Sequence, residues 1–216
     1  MALRAPVGGT RKPIPAGTYV ARLVRVIDMG TFDDPKSKYG PKHEVRFMFE
    51  IPSKRVTWKE NDEEREGPAA VWHRFSLSMN KKSNLRHFVE AWTGKKMTDK
   101  DASTFDIGSL LEKACMLGIQ HDETGSYANV VTVSALPEGI ACAAQETPTM
   151  YLELTREGYD EAMFQALGDW FKDRIKATPE WQYATGLIGD PDGDPSAGDA
   201  GADGFDEPPS DDEVPF

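Results

Sequence analysis

The stretch that decides the fold is HEVRFMFEI, residues 43–51. Val45, Phe47, Phe49 and Ile51 fall on one side of a period-two alternation, and Glu44, Arg46, Met48 and Glu50 fall on the other. Residues two apart in an extended chain share a face, so the pattern predicts a strand with one buried and one solvated side, the habit of an antiparallel sheet. Upstream, TYVARLVRVIDM (18–29) is rich in β-branched and aromatic residues and predicts a first strand. Downstream, AAVWHRFSLSM (69–79) alternates again. Val71, His73, Phe75, Leu77 and Met79 share its core side, while Trp72, Arg74, Ser76 and Ser78 look outward. The intervening SKRVTWKENDEEREGP (53–68) reads as a long charged connection, a solvated hairpin.

Beyond the third strand, Ser83 is placed to cap a helix in which Leu85, Phe88, Val89 and Trp92 recur at helical spacing, and Gly94 is placed to close it. KACMLGIQ (113–120) and YANVVTVSAL (127–136) predict two more strands around the loop HDETGS (121–126). The order is therefore strand, strand, strand, helix, strand, strand across residues 17–136. That order fits a mainly β fold, the five-stranded Greek-key OB barrel with its helix between strands three and four. A β-sandwich would offer about seven strands. Residues 1–16, with Arg11-Lys12 and paired glycines, read as a flexible basic arm.

Residues 137–186 read as an α/β extension, with a strand near MYLEL (150–154) and an amphipathic helix from Tyr159 to Lys176. Met163, Leu167, Trp170, Phe171 and Arg174 share one side of that helix, and Trp181 follows as an anchor. Such a stripe must be buried on the barrel or on a second subunit, which leaves a homodimer open. From 187 to 216 the composition is Gly, Pro, Ala, Ser and Asp, the signature of a disordered tail.

The chain has 216 residues, 39% hydrophobic and 28% charged, with a mean hydropathy of −0.53. That is enough for one domain with a core and appendages. No stretch approaches the roughly 20 apolar residues of a membrane span, and the first residues lack the apolar segment of a secretory signal. Cys115 and Cys142 lack C-x-x-C spacing, which fits a reducing, cytoplasmic setting. The net charge of −11 is unevenly placed. Ten of the 36 acids and none of the 25 bases lie in residues 190–216, so the rest of the chain carries 26 acids against 25 bases. The body is near neutral and can hold a local basic face.

Catalytic patterns are not found. His43, His73, His87 and His121 show no metal-ligand spacing, and there is no phosphate loop or nucleophile elbow. The expectation is a non-enzyme without metal or cofactor. What the sequence does supply is cations and rings where an OB barrel binds single strands, on strands two and three and the loops that frame them. Lys36, Lys38, Tyr39 and Lys42 lie in the first loop and Arg46 on the outer side of strand two. Trp72 and Arg74 lie on the outer side of strand three, Lys54, Arg55 and Trp58 in the charged connection, and Tyr127 at the start of strand five. Trp72 has a competing reading, in which the C-terminal helix covers it. Phe47, Phe49, Phe75, Phe88 and Trp92 are core positions.

The closing DDEVPF resembles the C-terminal tip of bacterial single-strand DNA-binding proteins. Asp211, Asp212, Pro215 and Phe216 match that tip, Val214 fills its apolar slot, and Glu213 departs from aspartate while keeping the charge. IPAGTYVARLVRVIDMGT, KHEVRFMFEIP and GSYANVVTVSALP, within residues 13–136, resemble bacteriophage-encoded OB-fold single-strand DNA-binding proteins. The resemblance implies a protein that coats single-stranded DNA in a bacterial host's cytoplasm. It also implies a tip that docks on replication, recombination and repair proteins, with Phe216 in an apolar pocket and its carboxylate on a basic residue. As a flexible coil, a tail of this length spans roughly 28 Å. The rival expectation is an interaction adapter or DNA mimic that binds no nucleic acid.

Overall fold

The computed structural model describes residues 13–33, 40–60, 63–125 and 127–189. Lys36, Lys38, Tyr39, most of the N-terminal arm and the tip Asp211–Phe216 lie outside the described residues.

The fold is mainly β. Strands β1 (Gly17–Phe32), β2 (Lys42–Glu60), β3 (Glu63–Ser76), β4 (Ala114–His121) and β5 (Ala128–Ser134) form one antiparallel path in the order β3-β2-β1-β4-β5. A short β6 (Met150–Leu152) pairs parallel with β1. The end strands β3 and β5 come within 8 Å of one another by Cα, but no ladder joins them and the sheet is not closed.

β1 is the hub. It pairs with β2 from Arg22 to Phe32, with β4 from Gly17 to Arg22, and with β6 from Arg25 to Ile27. Register shifts between Leu23 and Arg25 and between Asp28 and Gly30 bend it, the usual effect of an extra residue in one strand. Buried on both sides, it reads as a near-continuous apolar run. Ala21, Leu23 and Val26 point into one core, and Ile27 and Met29 into another.

The first core is the inner face of the sheet. Val45, Phe47, Phe49 and Ile51 are at most 2% exposed, as their alternation predicts. They meet Phe75, Leu117 and helix α1 (Asn84–Thr93), whose Leu85, Val89 and Trp92 are buried. Ser83 caps α1 by accepting from the Arg86 backbone N, and Gly94 ends it at φ 69°, both where the sequence places them. A one-turn helix α2 (Asp99–Ser103) follows, opened by a reciprocal Thr98–Asp101 capping box.

The second core lies on the opposite, outer face. β6 and helices α3 (Glu161–Gln165), α4 (Asp169–Lys176) and α5 (Pro179–Ala184) bring Leu152, Phe164, Leu167 and Ile175 down onto Ile27 and Met29. The outer side of β2 is therefore not simply solvated. Glu44 and Glu50 on it are 8% and 0% exposed.

Two expectations need correction. The charged segment 53–68 is the exposed hairpin expected, but it is strand rather than mere connection. β2 and β3 run on through it as a paired arm, with partners from Arg55–Pro68 to Glu60–Glu63 beyond a shift after Ile51. The single helix from Tyr159 to Lys176 is two short ones. Gly168, a poor helix residue, sits at φ −65°, ψ 153° and starts α4 afresh. The break rotates the stripe, so that Phe164, Leu167 and Ile175 are buried while Trp170 is 51% exposed.

Candidate nucleic-acid interface

The β2–β3 ladder sets Arg46 opposite Arg74 and Met48 opposite Trp72, so the two guanidinium groups and the indole share the outer face. Glu44 sits between the arginines. It accepts from Arg46 Nε at 2.8 Å and lies 3.8 Å from Arg74 Nη1. One carboxylate against two guanidinium groups leaves a positive balance, and Arg74 keeps 67% of its side chain open.

Trp72 is not an open platform. Helix α4 lays Phe171 against it, ring centroids 4.9 Å apart at 44°, and Trp72 borders the second core. The competing reading of that residue, cover by the C-terminal helix, is the one the structure bears out. The same helix turn puts Trp170 over Arg46, whose Cζ is 4.8 Å from the ring centroid. Arg174, one turn on, is 5.3 Å from the Trp170 ring and 4.2 Å from Phe32. Its Nε is buried without a hydrogen-bond partner. Lys42 opens β2 directly across from Phe32.

The remaining sequence-predicted residues fall elsewhere. Lys54, Arg55 and Trp58 lie on the β2–β3 arm. Lys54 Nζ stands 5.5 Å over the Tyr19 ring. Arg55 is held by Glu66 at 3.1 Å and by Glu146, and those carboxylates raise its pKa. Trp58 is half-buried across Gly67, where a Cβ would stand 2.9 Å from the ring. Tyr127 is 71% exposed beside the β4–β5 turn, which its backbone closes with Asp122 (N to Oδ1, 2.9 Å; Asp122 N to O, 3.0 Å). In the sheet order it lies three ladders from β2. The structure thus gathers Arg46, Trp72 and Arg74, and sets the arm and Tyr127 apart from them.

Two residues at the centre, Trp170 and Arg174, were read from sequence only as part of a buried stripe. The signal that could have singled them out is Gly168, which breaks the helix one residue before Asp169-Trp170.

Other contacts fasten the outer layer to the sheet. Glu50 accepts from the backbone N of Glu146 (3.0 Å) and Thr147 (2.7 Å), and Arg22 donates to the carbonyls of Glu112, Cys142 and Ala143. At the α5 end, Glu180 accepts from the Thr31 backbone N at 2.9 Å, and His43 Nε2 meets Asp28 Oδ1 at 2.5 Å. Burial depresses His43, but the hydrogen bond to Asp28 and the charges of Asp28 and Glu180 outweigh it and raise the imidazole above its ordinary value. This junction lines a cavity of about 670 Å³ with Tyr151 and Glu153. A second cavity of about 670 Å³ lies under α1 and α2, with Trp92, Phe105 and Leu136 inside and Lys95, Lys96 and Lys113 in its lining.

Among the described residues, no group of three or more His, Cys, Asp or Glu is placed to hold a metal ion. Among them, too, no helix is long and apolar enough to cross a membrane. No protein-family model, curated protein or solved structure matches the chain.

Proposed function

We propose that this protein binds single-stranded DNA, without strong sequence preference and without catalysis, through an OB-type barrel left open at its β3–β5 seam. The observation that carries this reading is the wiring of the sheet together with where its charge falls. The order β3-β2-β1-β4-β5, with a helix between β3 and β4 and the end strands near one another, supports an OB-type reading of this unclosed sheet. Arg46 and Arg74 are paired on the outer side of strands two and three, where that fold takes a strand. Phosphate contacts by guanidinium groups fix a strand without reading its bases, and ring stacking tolerates any base. The acidic DDEVPF tip supports the second half of the reading, recruitment of replication, recombination and repair proteins to the coated strand.

Titration with oligo-dT at two salt concentrations, followed by intrinsic tryptophan fluorescence, tests the DNA half. Binding is expected to quench the signal and to weaken with salt, because it releases counterions from the strand and that release is less favourable at high salt. A flat titration at low salt overturns the reading. Removing Phe216 alone tests the tip half. Oligo-dT affinity stays the same and pull-down of host replication proteins fails; undiminished pull-down overturns it.

A further inference from the structure

We infer that Trp170 on α4, together with Arg46 and Arg174, is the base-stacking site of the interface. The inference rests on the single-strand reading above and moves its aromatic contact from the sheet to the C-terminal layer.

The sheet's own outer indole, Trp72, is spent on Phe171. Trp170 is the exposed ring next to it, with half of its surface open. A tryptophan in a packed layer would normally bury that area, since each apolar Å² left in water forgoes roughly 25 cal/mol. The Gly168 break instead turns the ring out, against Arg46, whose cross-strand partner is Arg74.

The surrounding charge fits a nucleotide. Arg174 lies over two rings and, among the described residues, has no carboxylate within ion-pair distance, while its Nε has no hydrogen-bond acceptor. The Nε is buried, so it is the terminal N–H groups of this guanidinium, unopposed by a carboxylate, that can be given to a phosphate beside the ring. Arg46 is already fixed by Glu44, so it positions the ring more than it supplies charge. The site therefore offers one ring for one base and one uncompensated cation for the adjoining phosphate.

It follows that helix α4 is a working part of the interface, and that Trp170 is read out separately from the fold's stability. The test uses the full chain and oligo-dT, with Trp170→Ala, Trp170→Phe and Arg174→Gln. Trp170→Ala is expected to weaken binding roughly ten- to hundred-fold with an unchanged melting temperature, because one stacked base is lost. Trp170→Phe is expected to keep most of the affinity while losing most of the fluorescence quench. Arg174→Gln is expected to reduce the slope of log affinity against log salt by about one. If wild type binds and all three variants bind and quench like it, the stacking site lies elsewhere and this inference falls while the single-strand reading stands. If wild type does not bind, both fall. If Trp170→Ala melts early, the Phe variant decides: retained quench overturns the inference, and lost quench with retained affinity supports it.

Discussion

His73 sets a limit on how this fold tolerates acid. It lies on the core side of β3, opposite Phe47, with its ring stacked on Phe88 (5.7 Å, 19°) and edge-on to Phe75 (4.4 Å). Burial among these rings, and to a lesser degree the charge of Arg74, pushes the imidazole down to about 4. The unfolded chain holds an ordinary histidine near 6.5. Above pH 6.5 both states are neutral there and nothing changes. As pH falls below 6.5 the unfolded chain binds a proton that the folded chain refuses, so stability drops, and the drop is complete below about pH 4. The linkage relation gives about 2 kcal/mol lost at pH 5 and about 3 kcal/mol at the limit. His43 runs the other way. With its folded value raised, its contribution is full below pH 6.5 and is lost as pH rises from there through the raised folded value. Stability should therefore peak near neutrality. The assay is urea unfolding of wild type and His73→Phe at pH 7 and pH 5. The variant is expected to lose about 2 kcal/mol less between the two, because the carboxylate contributions common to both cancel. A His73 imidazole proton resonance, assigned by its loss in His73→Phe, that titrates at 6 or above, or an equal stability loss in the variant, refutes the argument.

Three further outcomes follow from contacts in the outer layer and the core. Gly30 sits at φ +76°, and a Cβ there would stand 2.5 Å from Oγ1 of the fully buried Thr178; Gly30→Ala is expected to cost about 3 kcal/mol in urea unfolding, and a cost under about 0.5 kcal/mol would contradict the close approach of α5 to β1. Glu50→Ala strands the two backbone N–H groups of Glu146 and Thr147; the expected loss is about 3 kcal/mol, with limited proteolysis newly cutting between 137 and 149, and an unchanged digestion pattern would count against that tether. The Cys115 thiol is fully buried and burial pushes its pKa well up, whereas Cys142 is half-buried; maleimide labelling of the native protein should modify Cys142 and spare Cys115, and labelling of both at similar rates would contradict the packing.

Much of the fold is legible in the order of residues, because side-chain direction in a strand or helix is fixed by local geometry. The alternation at 43–51 fixes which face of β2 enters the inner core. Ser83 and Gly94 fix the ends of α1, since their backbone and hydroxyl chemistry act on neighbours only a few positions away. The concentration of uncompensated acid in residues 190–216, ten acids and no base, likewise needs no coordinates. What periodicity cannot state is what lies on the far side of a face. Trp72 and Glu50 read as outward and are outward, but residues more than 90 positions later cover them, a long-range contact invisible to any local window. The segment 53–68 was legible as a charged, solvated hairpin but not as a continuation of both strands, because its residues gain strand structure from pairing with each other rather than from burial. Trp170 differs again. Its helical phase placed it with Leu167 and Phe171, and one glycine shifted that phase enough to exchange its place with the buried residues around it. The chain order thus determined the strands, the inner core and the location of charge. Only the tertiary structure decided which ring of the outer face, Trp72 or Trp170, remains open to solvent, because exposure depends on the packing of segments distant in sequence.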